Sequence, residues 1–132
     1  DHELVGLARR LPDAEGAAAL PPALSAAQWR AVDLSRDDAS PLLAEACAGA
    51  DAVVHLVWGF QPSHDEAYLR EVGVGGTRRV LQAAVAAGVP HLVHLSSLGA
   101  YSPKRDDQPV DESWPTDGVP TSQYSRHKVA AE

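Results

Sequence analysis

The 132-residue chain has the length of one domain, and its composition, 45% hydrophobic and 22% charged, is that of a folded protein rather than a disordered one. A net charge of −7 argues against a nucleic-acid-binding surface, which needs a basic footprint. The one cysteine, Cys47, excludes an internal disulfide and favours a cytoplasmic location, and no apolar run is long enough to predict a membrane span. We expect no metal site, since the six histidines lack metal-ligand spacing.

The first half of the chain predicts two strands and one helix. Residues 4–8 form a short apolar run that predicts a strand ending at Arg9-Arg10, and 29–32 predict a second strand closed by Asp33. The proline- and alanine-rich residues between them predict a loop that holds at most a helical turn. Ser40-Pro41 is a favourable helix start, and that helix is expected to stop at Gly49.

The second half predicts two further strands, at 52–57 and 91–96, each followed by a helix. Ser63 and Glu66 have the spacing of a capping box and predict a long helix that runs to about residue 87. Gly73 and Gly76 share one face of this helix, which we interpret as close approach of another backbone or of a cofactor. A last helix begins near residue 121 or 122. Strands that alternate with helices predict an α/β fold, a doubly wound parallel sheet with right-handed crossovers.

Candidate catalytic residues follow the fourth predicted strand. Ser96 and Ser97 end it, where open α/β sheets bind their ligands. Tyr124 and Lys128 are four apart, so they share one face of the last helix. An ammonium beside a phenol favours the phenolate, which makes Tyr124 a candidate proton donor or acceptor. The alternative is that Tyr124 is an ordinary half-buried helix tyrosine.

These residues resemble the extended short-chain dehydrogenase/reductases, the NAD-dependent epimerase/dehydratase family. The resemblance rests on Ser97, on Tyr101 four residues later, on Tyr124-x-x-x-Lys128, and on the intervening loop that contains residues 109–113. It implies a Rossmann-like fold and an NAD(P)-dependent oxidoreductase or epimerase that transfers a hydride between a nicotinamide cofactor and a nucleotide sugar or a related ketone or alcohol. Epimerisation, dehydration and reduction share that first hydride step and stay open as alternatives. It also implies a homodimer formed through residues 63–87 and the helix beginning near Ser122.

The resemblance implies a role for each catalytic candidate. Tyr124 transfers the proton, Lys128 assists it and bonds the nicotinamide ribose, and Ser97 holds the substrate oxygen. The spacing to Tyr101 favours Ser97, although Ser96 is an alternative. A function of a different class, a non-catalytic NADP-sensing regulator on the same fold, is less favoured because such relatives typically lose the Tyr-x-x-x-Lys pair.

The resemblance also implies a set of cofactor-binding residues. Besides Tyr124 and Lys128 they are Arg9, Arg10, Asp33, Leu34, Leu56, Val57, Trp58 and Leu95. Ala8 occupies a position where NAD-binding members usually carry an acidic residue, so Arg9-Arg10 favour NADP, with NAD as the alternative. The alternative is that the two arginines are solvated surface charges and that Asp33 is only a turn-forming residue at the end of a strand. Trp58 departs from the family pattern, and its side chain is interpreted either as shaping the substrate pocket or as packing in the core. Gly73 stands where the family commonly has asparagine.

Residues 1–132 are expected to be a partial domain. The family's first strand and glycine-rich turn do not occur in the sequence, and neither does its substrate domain. The strands near 4–8 and 29–32 are then expected to pair with each other, as are those near 52–57 and 91–96, with a gap between the two pairs. The alternative is that the elements are complete and the sheet closes differently.

Overall fold

The computed structural model describes residues 2–59 and 64–132. Its four strands are each four residues long and lie where the apolar runs predict them. They are β1 (Val5–Ala8), β2 (Gln28–Ala31), β3 (Ala52–His55) and β4 (His91–His94). The third and fourth strands are shorter than predicted, and the β3–β4 ladder is extended by one bond, in which Leu95 N donates to the His55 carbonyl at 3.0 Å.

The helices account for most of the remaining predicted elements. They are α1 (Ala14–Ala18), α2 (Pro22–Ser25), α3 (Ala39–Cys47), α4 (Glu66–Arg70), α5 (Gly76–Ala86) and α6 (Gln123–Ala131). A π-helical segment, Glu71–Gly75, joins α4 to α5, and a 3-10 turn, Leu98–Ala100, follows β4. The region predicted as a loop between β1 and β2 thus holds two short helices. Among the described residues, no helix has the length and apolar character to cross a membrane.

Two helix starts differ from the prediction. Ser40 lies inside α3, whose cap position is Asp38, so the predicted serine cap is wrong by two residues. Ser63 lies outside the described residues. The cap of α4 is Asp65, whose carboxylate accepts a hydrogen bond from Tyr68 N at 2.9 Å.

The strands form two separate parallel pairs. β1 pairs with β2 from Val5 opposite Gln28, and β3 pairs with β4 from Ala52 opposite His91. Both pairings are as predicted, and within the described residues each pair is a two-stranded sheet of its own. The architecture is therefore an α/β, Rossmann-like partial domain with parallel strands.

A large cavity lies between the two strand pairs. Its volume is about 1130 Å³, and residues of β1 and β3 line it, together with the segments that follow β2 and β3. Small-molecule pockets generally measure about 300–1,000 Å³, so this space exceeds what a ligand alone requires. The main apolar core lies beside it, where α3 and α5 pack together through residues that include Leu43, Cys47 and Val80.

The two glycines of the long helix do approach neighbouring groups closely, but these groups are side chains. A Cβ built on Gly73 would lie 3.0 Å from the indole of Trp58, and one built on Gly76 would lie 2.9 Å from Cβ of Leu34. The predicted close approach is therefore observed with side chains in place of a backbone, and the approach of a cofactor remains a prediction. The glycines let the helix pack tightly against the residues that follow β2 and β3.

Candidate active site

Helix α6 presents Tyr124 and Lys128 to the end of β4. The helix begins where predicted, because Ser122 at its N-cap accepts a hydrogen bond from Ser125 N at 3.3 Å. Ser97 caps the 3-10 turn after β4, and its Oγ accepts from Gly99 N at 3.0 Å. Local capping thus fixes the backbone on both sides of the candidate site.

Ser97 and Tyr124 meet at Gly99. A Cβ on Gly99 would lie 3.0 Å from Cε1 of the Tyr124 ring and 3.4 Å from Ser97 Oγ. The phenol ring and the serine hydroxyl are therefore neighbours around one point on the 3-10 turn. Gly99 carries no side chain, so nothing from residue 99 separates the two groups. Any larger residue at position 99 would enter this space.

Lys128 lies beside Tyr124 and is almost fully buried. Its Nζ donates to the Leu95 carbonyl at 3.1 Å and lies 6.0 Å from the centre of the Tyr124 ring. Burial lowers the pKa of the Lys128 ammonium, while the Glu132 carboxylate acts in the opposite direction. The contact with Leu95 uses the carbonyl that directly follows β4, so the lysine is tied to the strand end.

The second candidate hydroxyl is engaged elsewhere. Ser96 Oγ donates to the Glu132 carboxylate at the end of α6. Ser97 Oγ, by contrast, lies near the phenol ring of Tyr124. The geometry thus favours Ser97 of the two serines, in agreement with the spacing argument. The catalytic roles of Ser97, Tyr124 and Lys128 remain predictions.

Ser125 connects the elements that form the site, and the sequence analysis did not predict this role. Its buried Oγ donates to the Gly99 carbonyl and accepts from Val119 N at 2.6 Å. It therefore joins α6 to the 3-10 turn and to the preceding loop. The sequence feature that could have pointed to Ser125 is Gly118. The φ of this glycine is +68°, in the left-handed region, and it lies beside the serine.

Two neutral histidines lie behind the lysine. Thr77 Oγ1 donates to the Gly73 carbonyl at 2.6 Å, so the 3.0 Å contact with His55 Nε2 requires that the imidazole donate its proton to Thr77. The His94 ring stacks on His55, with centroids 5.2 Å apart. Burial, followed by the charges of His94 and Lys128, lowers the pKa of His55 to about 4. Both rings therefore lie within range of the Lys128 charge and are themselves uncharged near neutral pH.

Many of the predicted cofactor-binding residues line the cavity between the strand pairs. Those that do so are Arg9, Asp33, Leu34, Leu56, Val57 and Trp58. Arg10 is exposed, and the Leu95 carbonyl is the acceptor for Lys128. The structure thus brings residues from the ends of β1, β2 and β3 to one space, and their contact with a cofactor remains a prediction.

Two of these residues already have protein partners. Arg9 Nη1 donates to the Tyr68 hydroxyl at 2.6 Å. The Asp33 carboxylate accepts from both the backbone N and the Oγ of Ser35, and these bonds, with a smaller contribution from Arg9, lower the pKa of Asp33. The turn-forming role of Asp33 is therefore observed, whereas its contact with adenine remains a prediction.

Comparison with known sequences decides the family. A sequence model of the 3-beta hydroxysteroid dehydrogenase/isomerase family matches residues 25–132. The chain belongs to this family. The predicted membership of the extended short-chain dehydrogenase/reductases is thereby confirmed.

Two curated relatives show the same relationship. The chain is 35% identical over 83 residues to the decarboxylating sterol-4-alpha-carboxylate 3-dehydrogenase of Saccharomyces cerevisiae, covering 63% of this chain and 24% of that protein. It is 34% identical over 96 residues to human 3 beta-hydroxysteroid dehydrogenase type 7, covering 68% of this chain and 26% of the relative. The chain therefore spans about a quarter of the length of these two proteins.

Solved structures share the fold across nearly the whole chain. The dTDP-glucose 4,6-dehydratase of Streptomyces venezuelae, solved with NAD bound, is 26% identical with a TM-score of 0.78, over 98% of this chain and 39% of that one. A short-chain dehydrogenase/reductase superfamily protein of Agrobacterium tumefaciens, also solved with NAD, is 27% identical with a TM-score of 0.71, over 98% and 43%.

Proposed function

We propose that this protein transfers a hydride between a nicotinamide cofactor and a secondary alcohol or ketone, with Tyr124 as the general acid/base. The single observation that carries the proposal is the meeting of the Tyr124 ring and Ser97 Oγ at Gly99, with the Lys128 ammonium on the same face of α6. A proton donor must lie within hydrogen-bond reach of the reacting oxygen, and the position of the Ser97 hydroxyl beside the phenol ring supports this assignment.

Each residue has a distinct part in the proposal. Ser97 Oγ bonds the substrate oxygen and orients it towards the phenol. Tyr124 gives its proton to that oxygen during reduction and takes the proton back during oxidation. Lys128, held by the Leu95 carbonyl, favours the phenolate by its positive charge. The nicotinamide, when bound, supplies or accepts the hydride.

The cofactor is proposed to be NADP(H), with NAD(H) as the alternative. Arg9, at the end of β1, lines the cavity and has guanidinium N–H groups beyond the one used by Tyr68. Guanidinium groups bind phosphate in a bidentate manner, which suits a ribose 2′-phosphate. The solved relatives described above contain NAD, so the two cofactors must be compared directly.

Two substrate classes follow from different observations. The fold and site resemblance favours a nucleotide sugar or a related carbonyl compound, as in the dehydratase with a TM-score of 0.78. The names of the two curated relatives favour a 3-hydroxysterol. Both classes present a secondary alcohol or its ketone to the same hydroxyl pair, so the chemistry near Gly99 is shared.

The experiment is a turnover assay of the full-length protein with both cofactors. Nucleotide sugars, simple ketones and 3-hydroxysterols are supplied in turn. Net oxidation or reduction is followed by the absorbance of the reduced cofactor, and product formation is followed by chromatography, because epimerisation and dehydration return the hydride and leave the cofactor unchanged. We expect turnover with one substrate class and loss of turnover in Lys128→Met. Tight cofactor binding without turnover of any class would contradict the enzyme and favour a cofactor-sensing regulator.

A further inference from the structure

Trp58 makes contacts that neither of the two sequence interpretations included. The face of its indole lies under the Lys128 ammonium, with Nζ 3.7 Å from the ring centroid. The same indole meets the Tyr124 ring edge-on, with centroids 6.0 Å apart and planes inclined at 74°. One side chain, supplied by the segment after β3, thus contacts both residues of the Tyr-x-x-x-Lys pair on α6.

The ammonium needs such a partner. Lys128 is 3% exposed, and an ammonium carries three N–H donors, one of which is directed at the Leu95 carbonyl. The nearby His55 and His94 have lowered pKa values and are neutral, and the Glu132 carboxylate offsets only part of the effect of burial on the Lys128 pKa. The electron-rich face of an indole attracts a cation, and the attraction is greater when the cation is removed from water.

Gly73 makes room for the indole. A Cβ at this position would lie 3.0, 3.1 and 3.3 Å from three carbons of the Trp58 ring, which is tighter than nearly all real contacts of that kind. The backbone of Gly73 is itself fixed, because its carbonyl accepts the Thr77 hydroxyl. The indole would therefore have to move if residue 73 carried any side chain.

We propose that Trp58 is a positioning residue that holds the Lys128 ammonium beside Tyr124 with the face of its indole, and that Gly73 is required to seat that indole. Trp58 and Gly73 thus act as a pair: one provides the aromatic surface, and the other provides the space. The consequence for turnover rests on the proposed function, whereas the contact with Lys128 stands independently of it.

The contact is tested by NMR on the full-length protein labelled at lysine. A proton above an aromatic face is shifted upfield, so the Lys128 Hε signal, assigned by its loss in Lys128→Arg, should lie upfield of the signal of the exposed Lys104. Trp58→Leu should move it to the position of an exposed lysine. Trp58→Phe, which retains a smaller aromatic face, should preserve part of the shift.

Gly73→Ala tests the pairing. The added methyl should move the indole by a few tenths of an ångström and reduce the upfield shift of Lys128, whereas adding Gly73→Ala to Trp58→Leu should cause no further change. Trp114→Phe is the matched control, since the Trp114 indole bonds the Ser102 carbonyl instead. A Lys128 signal that stays upfield in Trp58→Leu, or that moves equally in Trp114→Phe, overturns the proposal.

The kinetic arm separates this proposal from the proposed function. In an active protein, Trp58→Leu should lower kcat about tenfold with KM nearly unchanged, and Trp58→Phe should recover most of the loss. An unchanged kcat in Trp58→Leu would overturn the positioning role. Absence of turnover in the wild-type protein would instead refute the proposed function, while the NMR shifts would still decide whether Trp58 holds Lys128.

Discussion

Residues 1–132 expressed alone should not form a stable monomer. The solvent-accessible surface of the chain is 9122 Å². A folded monomer of its mass, 13.9 kDa, is expected to expose about 6,700 Å². The excess is visible on the β3–β4 pair, where Val54, Leu56, Val93 and Leu95 are each more than half exposed. This part of the molecule is therefore built to be covered.

The excess area sets the magnitude of the effect. It amounts to about 2,400 Å², of which roughly 55–60% would be apolar on an ordinary surface. Burying that apolar area would stabilise the fold by on the order of 30 kcal/mol at about 25 cal/mol per Å², as an upper estimate. The isolated segment lacks this contribution. The net free energy of unfolding of a domain is about 5–15 kcal/mol, so the missing burial energy is large enough to prevent stable folding. The free edges beside the cavity also invite pairing with other chains.

The assay is expression of residues 1–132 alone, followed by light scattering and thermal unfolding. We expect an aggregating or non-cooperative species, and we expect the full-length protein, treated in parallel as the control, to unfold cooperatively. A monodisperse monomer of 132 residues with a sharp unfolding transition would refute the reasoning from exposed area.

Three further predictions concern the cofactor, the assembly and the response to pH. Arg9→Ala combined with Arg10→Ala should weaken NADPH binding about tenfold or more and leave NADH binding unchanged, with Arg36→Ala as the control; equal wild-type affinities in calorimetry would remove the basis for NADP preference. The full-length protein should be a dimer formed through residues 63–87 and α6, and light scattering that gives a monomer at micromolar concentration would contradict this. Because the pKa of His55 is about 4 when folded and near 6.5 when unfolded, the unfolded state binds the extra proton first. The stability contributed by neutral His55 should therefore be complete above pH 6.5 and decline as the pH falls towards 4, which urea unfolding of wild type and His55→Gln would measure; identical pH dependence in the two would count against it.

The strand pairs could be predicted from the sequence because short apolar runs separated by helices carry a strong local signal. Val5–Ala8 and Ala52–His55 lie within the predicted runs, and Ser122 caps α6 as its position suggested. The start of α3 was less predictable. Ser40 and Asp38 are both good capping residues, and the backbone, rather than the side-chain preference, decides between them.

The parts of the site that sequence could not supply depend on contacts between distant residues. The pairing of Trp58 with Lys128 joins two segments seventy positions apart, and neither residue type specifies it. The tie from Ser125 to Gly99 is equally non-local. The sequence suggested a close neighbour for Gly73, a backbone or a cofactor, but only the folded chain identifies an indole there.

Replacement of Tyr124 by phenylalanine tests the central claim most directly. The change removes one hydroxyl and keeps the ring that packs beside Gly99 and Trp58. In the full-length protein, kcat should fall by about 10²–10⁴, the usual contribution of a general acid/base, while the cofactor dissociation constant stays within a few-fold of wild type. Wild-type turnover in Tyr124→Phe would show that another group carries the proton and would contradict the account.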